Sequence, residues 1–563
     1  MSKGIKRWFA AEYGVLPNQS GSITAALTAL LSEIGDDSEI VFECGTYRFD
    51  IAQAATRKYA ISNTFPTEQQ AVSLLLENKR RVTLDFGGST LLFNGWQIPI
   101  AVDNCTDIII KNAAIDWMTP TAAEARVLAA DENEITLHID SERFPHTVDD
   151  GVLYFLGDGF KNEYWASMEY DRETLQVRGA SADRILNATF TAVDESTVVM
   201  HGTFAVPPLV GNYLAMRHGK RTQAGIFCQA SSHLRFEHIR LHNTCGIGMV
   251  CQFCDTVTIS QSDVLPNMKK GRLVTSSHDD ALQFSGCRGQ VTIDNCRFRG
   301  MFDDAVNVHG TSTVITAIDG ALVRGRFAES CSAGFAMYAK AGDVFSFMDR
   351  STMDPYTRAT VVSFSLTSRE EFEITFTEPL PDTVRVGDAM ENISSTPRVL
   401  IENCYVGSAR ARGVLVATPR PVLIRNNVFD TSGSAILMSG DANGWFESGA
   451  CLDVSICDNE FTAHCLSGEY QFGDGIISLS PVVERPENSR GFHRHIAVCR
   501  NRFTVADSRV LYAFCVNDLT FAENTVIRVP TVEGEQPCYT RYEYCTDVTE
   551  CDNRFFDILQ ERN

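Results

Sequence analysis

Short stretches of alternating apolar and polar residues recur along most of the chain. Each stretch is apolar at its second and fourth positions and usually has Asn, Cys or a small residue at its seventh. Several copies start 23 residues apart, for example those that contain Val399 and Val422. Alternating strands with a period of roughly two dozen residues are typical of a solenoid of stacked β coils. The copies begin at His233, Thr256, Gln290, Arg398, Pro421, Asp453, His495, Asp518 and Asp547.

The seventh position of the repeat predicts a ladder of side chains inside the coils. Stacked asparagine amides hydrogen-bond to one another along such a ladder. We therefore predict an all-β chain built on a right-handed parallel β-helix, with a β-sandwich of coincidental internal similarity as the alternative. The predicted ladder consists of Cys296, Cys404, Asn427, Asn459, Asn501, Asn524 and Asn553.

Two segments interrupt the period and predict separate subdomains. Residues 119–215 and 314–395 contain strands linked by turns, as expected of antiparallel β-barrels inserted in the β-helix. The predicted β-helix consists of residues 1–118, 216–313 and 396–563. Residues 22–34 have the apolar spacing of an amphipathic helix opened by Ser22, and we expect this helix to cap the open end of the first coil.

Composition narrows the choice of partners and compartment. The chain has 49 basic and 71 acidic residues, a formal net charge of −22, which argues against nucleic acid or an anionic membrane as a partner. Apolar runs are too short for a membrane span, and the first residues lack the apolar core of a signal peptide. The 18 cysteines occupy matching places in the repeats rather than a disulfide framework. We therefore predict a cytoplasmic protein with reduced thiols and no metal at the Cys251 and Cys254 pair.

Two acidic pairs, Asp279-Asp280 and Asp303-Asp304, are separated by about one coil. When the segments after each turn are aligned, Asp280, Asp304 and Arg412 take the same place on successive coils. Stacked positions of this kind lie about 4.8 Å apart. We therefore predict that these three side chains line one cleft. The second insertion leaves the β-helix just after the acidic stretch, so we expect it to wall that cleft.

Facing carboxyl groups are the minimal machinery for cleaving a glycosidic bond. Like charges so close raise the pKa of at least one carboxyl group, which leaves one protonated acid and one ionised base near neutral pH. Asn307 and His309 share the outward side of the same strand and are candidates to hydrogen-bond a sugar. Alternatively, the acidic pairs are ordinary turn or helix-cap residues. A further alternative is that the clustered carboxylates bind calcium, although no EF-hand or RTX pattern is present.

Four motifs resemble glycoside hydrolase family 110, the α-1,3-galactosidases that remove terminal galactose, including that of the blood-group-B epitope. They are MFDDAVNVHG (301–310), DALQFSGCRG (280–289), RGVLVATPRPVLIRNN (412–427) and GDANGWFESGA (440–450). The resemblance runs from the predicted helix almost to the C-terminus. It implies a β-helix with two inserted barrels and an inverting reaction that needs no metal or other cofactor.

The resemblance also implies roles for particular residues. Asp303 would be the general acid, and Asp280 and Asp304 would position and deprotonate the water. The residues expected to bind a galactose-terminated oligosaccharide are Asn307, His309, Arg412, Trp445 and Glu447, with Trp445 as a stacking platform or, alternatively, a buried loop anchor.

Two departures from the family leave the exact substrate open. Gln283 stands where a histidine is expected, and an export signal is lacking. The competing hypotheses are a polygalacturonase-like inverting hydrolase acting on another α-linked sugar and a non-catalytic carbohydrate-binding β-helix. No basic tract for a uronate is evident near Asp303. A homodimer is an option that the sequence leaves open.

Overall fold

Most strands of the protein belong to stacked parallel coils. The computed structural model describes residues 4–179, 184–185, 188–468, 470–506, 508–529 and 538–557. One 22-stranded sheet runs along the coils, and its neighbouring strands pair in parallel. Its strands are Lys6–Phe9, Ser38–Val41, Thr46–Phe49, Arg80–Phe93, Thr106–Trp117, Ser232–Leu241, Asp255–Ser260, Asp263–Val264, Arg288–Asp294, Arg297–Phe298, Arg398–Glu402, Tyr405–Val406, Val422–Arg425, Val428–Phe429, Val454–Cys457, Glu460–Phe461, His493–Cys499, Arg502–Val505, Val516–Ala522, Thr525–Arg528, Thr546–Cys551 and Arg554–Asp557. The predicted parallel β-helix is confirmed.

A second parallel sheet closes the other side of the coils, and we call it the pocket sheet. It begins with an antiparallel pair and continues with one parallel strand per coil. Its strands, in order, are Ala55–Arg57, Gln70–Glu77, Ile98–Asp103, Gln223–Gln229, Gly246–Gln252, Leu282–Ser285, Val306–Asp319, Val414–Val416, Ile436–Met438, Ile477–Leu479, Leu511–Phe514 and Thr540–Glu543. Apolar residues from both sheets form one continuous buried core.

The predicted side-chain ladder lies at a corner of the coils and is confirmed. The amide nitrogen of Asn427 donates to Asn459 Oδ1 at 3.0 Å, and the amide of Asn459 donates to Asn501 Oδ1 at 3.0 Å. Each amide oxygen also accepts the backbone N–H of the preceding rung, as from Asn427 to Asn459 at 3.0 Å. The residue before a rung turns the corner in the left-handed region, for example Asp458 with φ +58°. Asp and Asn tolerate that conformation better than most residues.

Two antiparallel subdomains interrupt the coils. The first is a nine-stranded sheet around its own apolar core, made of Ala122–Ala130, Glu134–Ile139, His146–Asp149, Val152–Gly157, Phe160–Tyr170, Arg184–Ile185, Thr189–Ala192, Thr197–His201 and Tyr213–His218. The second is a closed six-stranded barrel of Val306–Asp319, Leu322–Arg326, Glu371–Phe376, Pro355–Leu366, Val344–Met348 and Ala389–Asn392, in order of pairing. Both insertions therefore have the predicted antiparallel architecture, while their exact domain bounds stay predictions.

One α-helix, Thr24–Glu33, packs its buried leucines against the core at the first coils. The N-cap residue is Ile23 rather than Ser22, although the Ser22 hydroxyl accepts the N–H of Thr24 at 3.1 Å.

Within the described ranges, no helix combines the length and apolarity that a membrane crossing requires. The 3-10 turns are Ala10–Tyr13, Ile51–Gln53, Met268–Lys270, Ser330–Ser332 and Pro486–Asn488. A short strand, Glu447–Ser448, pairs with the strand that enters the closed barrel.

Candidate active site

The predicted stack of Asp280, Asp304 and Arg412 is present at the start of three adjacent strands of the pocket sheet. The N–H of Ala281 donates to the carbonyl of Asp304 at 2.9 Å, and the N–H of Ala305 donates to the carbonyl of Arg412 at 3.3 Å. The parallel register of the strands that follow keeps the three residues one above another. The coil repeat therefore places two carboxyl groups and a guanidinium on one wall.

Arg412 holds Asp304 in a bidentate pair. Nε of Arg412 donates to Oδ1 at 2.7 Å, Nη2 donates to Oδ2 at 2.7 Å, and the backbone N–H of Arg412 adds a bond to Oδ1 at 3.0 Å. The Asp304 side chain is fully buried. Burial raises the pKa of Asp304 to about 6, with Arg412 acting against the rise and Asp303 adding to it. Asp304 is therefore ionised at neutral pH and becomes protonated in mild acid.

Asp280 is buried without a cationic partner. Its Oδ1 accepts the backbone N–H of Asp304 at 3.2 Å, and no arginine, lysine or histidine of the described chain forms a salt bridge with it. Burial, followed by the charges of Asp303 and Asp304, raises the pKa of Asp280 well above its usual value. One oxygen from each of the three carboxyl groups lies within 4.8 Å of the others. The raised pKa favours the protonated form of Asp280, so the cluster holds a proton more tightly than isolated aspartates do.

Asp303 is the most accessible carboxyl group of the cluster. The chain bends at this point, and 27% of the Asp303 side chain is exposed whereas Asp304 is buried. Arg221 Nη1 lies 3.9 Å from Asp303 Oδ2, and Arg412 Nη2 lies 3.9 Å from Asp303 Oδ1. Asp303 can therefore meet a ligand from solvent while remaining next to the two buried aspartates.

A second buried cluster, for which the sequence predicted no role, supports Arg221. Asp279 accepts from Arg217 Nη2 at 2.6 Å, lies 3.4 Å from Arg221 Nη1 and lies 2.9 Å from His278 Nδ1. Although burial opposes it, the charges of Arg221 and Arg217 hold the pKa of Asp279 far below its usual value. Asp279 therefore anchors the guanidinium that reaches toward Asp303. The acidic pair at 279–280 was a sequence signal from which this cluster could have been predicted. Arg221 lies in the return loop of the first insertion, and no sequence pattern marked it.

The aspartate cluster lines a pocket of about 350 Å³, which we call the acidic pocket. Glu447 also lines it, and its Oε1 accepts from Asn63 Nδ2 at 2.7 Å and from Asn307 Nδ2 at 3.5 Å. Burial alone would raise the pKa of Glu447, but the neighbouring imidazole of His309 and the amide of Asn63 outweigh it and lower that pKa. Asn307 Oδ1 is buried and has no partner within the described structure. The wall therefore offers acceptors to hydroxyl groups.

Strand pairing and a tight loop position the other predicted side chains. Glu447 lies opposite Thr311, on the strand that continues from the pocket sheet into the closed barrel. The carboxylate of Asp441 accepts the backbone N–H groups of several loop residues, including Gly444 at 2.9 Å. This loop leaves Trp445 at the edge of the acidic pocket with 60% of its surface exposed. Trp445 is therefore available for stacking and is not a buried loop anchor.

His309 lies behind the acidic pocket rather than on its surface. It is buried, its Nδ1 donates to the carbonyl of Gly310 at 2.7 Å, and its Nε2 lies 3.6 Å from Glu447 Oε1. The side-chain amide of Gln283 lies 3.0 Å from His309 Nε2. In this arrangement His309 orients Glu447, and its predicted contact with sugar stays a prediction.

The second insertion was expected to wall the cleft, and the lining of the acidic pocket shows that this expectation is wrong. The described residues that line the acidic pocket come from the coils, from the loops between them and from Asn63, and none lies within 314–395. The closed barrel contributes indirectly, because its entering strand pairs with Glu447. Asn63 had no signal in the sequence because it precedes the acidic stretch by more than 200 residues.

Comparisons with known proteins agree with this architecture. Family models described as GLAA-B beta-barrel domain I and domain II match residues 123–214 and 323–390. An α-1,3-galactosidase B of Bacteroides thetaiotaomicron is 35% identical over 90% of this chain and 83% of its own length. An α-1,3-galactosidase A of Bacteroides fragilis is 32% identical over 93% of this chain and 87% of its own length. Among solved structures, an exopolygalacturonase from Thermotoga maritima aligns over 97% of this chain and 91% of its own, with 11% identity and a TM-score of 0.44.

The fold and the site together define a parallel β-helix protein with a carboxylate pocket of the glycoside hydrolase type. Identity of 30% or more over most of both chains then specifies the group. The chain belongs to the family of the α-1,3-galactosidases, which are glycoside hydrolases.

Proposed function

We propose that the protein is an exo-acting α-galactosidase that hydrolyses terminal α-1,3-linked galactose from galactose-terminated glycans. The names of its relatives support the linkage and the sugar. The observation that carries the proposal is the aspartate cluster. One oxygen of the accessible Asp303 lies within 4.8 Å of an oxygen of each of two buried carboxyl groups. One of these has a raised pKa, and the other pairs with Arg412. An acid and a base side by side are what glycoside hydrolysis requires.

In the proposed reaction, Asp303 delivers to the leaving glycosidic oxygen the proton that the three coupled carboxyl groups share. Asp304, ionised at neutral pH, and Asp280 hold the water that attacks the anomeric carbon. Asp304 takes the proton that this water loses, which restores the proton of the cluster. Both buried carboxyl groups are poorly suited to attack the sugar themselves. Arg412 is bonded to both oxygens of Asp304, and the raised pKa of Asp280 favours its protonated form, which is a poor nucleophile. Attack by water on the face opposite the leaving group inverts the anomeric centre.

Galactose binds in the acidic pocket, whose volume of about 350 Å³ suits one sugar ring. Glu447 and the unpartnered Asn307 Oδ1 accept hydroxyl groups of the sugar, and Asn63 keeps Glu447 in place. Arg412 and Trp445 complete the set of predicted binding residues on the pocket's surface. A pocket with room for a single terminal ring supports exo action.

A uronate substrate fits this pocket less well than a neutral sugar. Three arginines line the pocket, and each is already engaged. Arg412 is bonded to Asp304, Arg221 is anchored by Asp279, and Arg410 lies over the rings of Tyr470 and Phe472. A uronate would add its own negative charge beside the ionised Glu447, and like charges at that distance repel. Burying Asp280 without a cationic partner costs free energy when its carboxyl group is ionised. A non-catalytic binding protein would gain nothing in return for this cost.

The test is proton NMR of the purified enzyme with Gal-α-1,3-Gal, followed from the earliest time points. β-Galactose as the first product supports the proposed inverting reaction. The test is sharp because one oxygen from each carboxyl group lies within 4.8 Å of the others. This spacing is closer to the roughly 5–5.5 Å between the carboxyl groups of retaining enzymes than to the roughly 6.5–9.5 Å of inverting ones. α-Galactose as the first product would overturn inversion, and the absence of hydrolysis would overturn the function. The cytoplasmic location and the homodimer stay predictions.

A further inference from the structure

A second and larger cavity opens on the other side of Asp303, and we call it the aromatic cavity. Its volume is about 900 Å³, more than twice that of the acidic pocket. One wall is the strand Phe160–Tyr170 of the first insertion, and the other is formed by the coils. The two cavities share two lining residues, Arg221 and Asp303. The proposed general acid therefore lies at the junction between them.

Rigidly held aromatic rings line the aromatic cavity. Trp96 Nε1 donates to Thr222 Oγ1 at 3.0 Å, and Trp165 Nε1 donates to the carbonyl of Gly219 at 3.1 Å. Phe160 meets Trp96 edge to face, with ring centroids 5.7 Å apart. With both indole N–H groups satisfied inside the wall, the rings present apolar surface to whatever enters. Rings fixed in this way bind ligands without a further loss of side-chain entropy.

Phe65 faces the cavity from the coil side, with 47% of its surface exposed. Lys161, Asn162 and Lys220 supply polar groups to the same lining. An apolar surface with a few polar groups at its edges matches the alternating faces and hydroxyl rims of sugar rings. The aromatic cavity therefore has the chemistry of a carbohydrate-binding surface and far more room than one ring needs.

We propose that the aromatic cavity binds the leaving group of the reaction and selects an oligosaccharide of at least two sugar residues there. This inference rests on the proposed function. Asp303 must contact the glycosidic oxygen, and the galactose lies on the Glu447 side of it, so the remainder of the substrate extends toward Phe160 and Trp96. The reverse orientation is disfavoured because the acidic stack and the free acceptor of Asn307 lie only in the smaller pocket.

The experiment compares two substrates across variants of both cavity walls. The first substrate is a linear tetrasaccharide with terminal α-1,3-galactose, and the second is an aryl α-galactoside with a small leaving group. Phe160→Ala and Phe65→Ala should each lower the ratio of kcat/KM for the tetrasaccharide to that for the aryl galactoside by about tenfold, a common effect of truncating an aromatic anchor. Phe556→Ala, an exposed aromatic on a terminal coil, is the matched control and should leave the ratio unchanged.

The outcomes separate this inference from the proposed function. If neither substrate is hydrolysed by the wild-type enzyme, the proposed function fails. If both are hydrolysed but the two variants leave the ratio unchanged, or if Trp445→Ala lowers it instead, the leaving group lies elsewhere and the inference is overturned. A binding measurement provides a readout without turnover: the trisaccharide that lacks the terminal galactose should bind Asp303→Asn and should bind Asp303→Asn/Phe160→Ala about tenfold more weakly.

Discussion

The asparagine ladder and the aspartate stack are both built on the coil repeat, but the ladder stabilises the fold and the stack provides reactive groups. In both, side chains of one type occupy equivalent places on successive coils. A carboxamide both donates and accepts, so Asn427 and Asn459 satisfy each other and the backbone around them. An ionised carboxylate only accepts, so Asp280 and Asp304 cannot satisfy each other. They depend on Arg412, backbone N–H groups and a retained proton.

This difference separates stability from function within one architecture. The ladder lies in the interior, where satisfied polar groups stabilise the register of the coils. The stack lines a pocket, where burial and the closeness of the carboxyl groups raise the pKa values of Asp280 and Asp304. We therefore expect changes in the ladder to alter stability without changing catalysis, and changes in the stack to alter catalysis first.

The largest expected effect is on catalysis. Asp303→Asn should lower kcat by about 10²–10⁴-fold, the usual contribution of a general acid, because an amide cannot deliver the proton. The melting temperature should change little, since Asp303 is partly exposed and its nearest guanidinium atoms are 3.9 Å away. Asp382→Asn, an exposed aspartate of the second insertion, is the control for any general effect of the substitution. Full activity in Asp303→Asn would remove this residue from the mechanism.

Arg412→Met tests whether the stack depends on its cation. The change leaves the buried Asp304 without its bidentate partner, which should cost about 3–5 kcal/mol of stability at neutral pH. The loss should shrink below the pKa of about 6, because Asp304 is then protonated. Thermal unfolding followed at both pH values measures this difference. The double variant Arg412→Met/Asp304→Asn should recover part of the loss, and equal instability of both variants at all pH values would contradict the assignment.

Asn459→Ala is the corresponding change in the ladder. It removes the partner of the Asn427 amide and of the Asn427 backbone N–H, so we expect a loss of about 1–3 kcal/mol. The kcat of the folded fraction should stay that of the parent enzyme. Asn488→Ala, at an exposed position, is the matched control and should have no effect on melting. A fall in kcat without a fall in stability would show that the ladder is coupled to the pocket.

The repeat explains how far the sequence could predict these two regions. The ladder and the order of Asp280, Asp304 and Arg412 follow from the period alone, because the parallel register places residues at equivalent repeat positions one above another. Asn63 and Arg221 reach the pocket from loops that obey no period. Their positions depend on how the insertions and the first coils pack, which is tertiary information that local patterns do not contain.

The pH dependence of activity offers a smaller test of the stack. Because Asp304 must be ionised to activate water, kcat/KM should fall as pH decreases below about 6, approaching tenfold per pH unit. The raised pKa affects stability in the opposite direction, because it favours the protonated form of Asp304 in the folded state. Asp304 therefore adds to the free energy of unfolding at pH values below the pKa that it has in the unfolded chain. This contribution disappears as pH rises through about 6. A pH–rate profile with no acidic limb between pH 5 and 7 would exclude Asp304 as the base.

The smallest expected effect is that of metal removal. The three carboxyl groups lie close enough to bind a divalent cation, with their oxygens within 4.8 Å. Arg412 already neutralises Asp304 through both oxygens, and Arg221 lies 3.9 Å from Asp303, so a cation would have to enter against two guanidinium charges and displace the proton on Asp280. Dialysis against a chelator should therefore leave kcat/KM unchanged, and added calcium should not raise it. A loss of activity that calcium reverses would mean that the stack, unlike the ladder, is completed by a metal ion rather than by arginine and a proton.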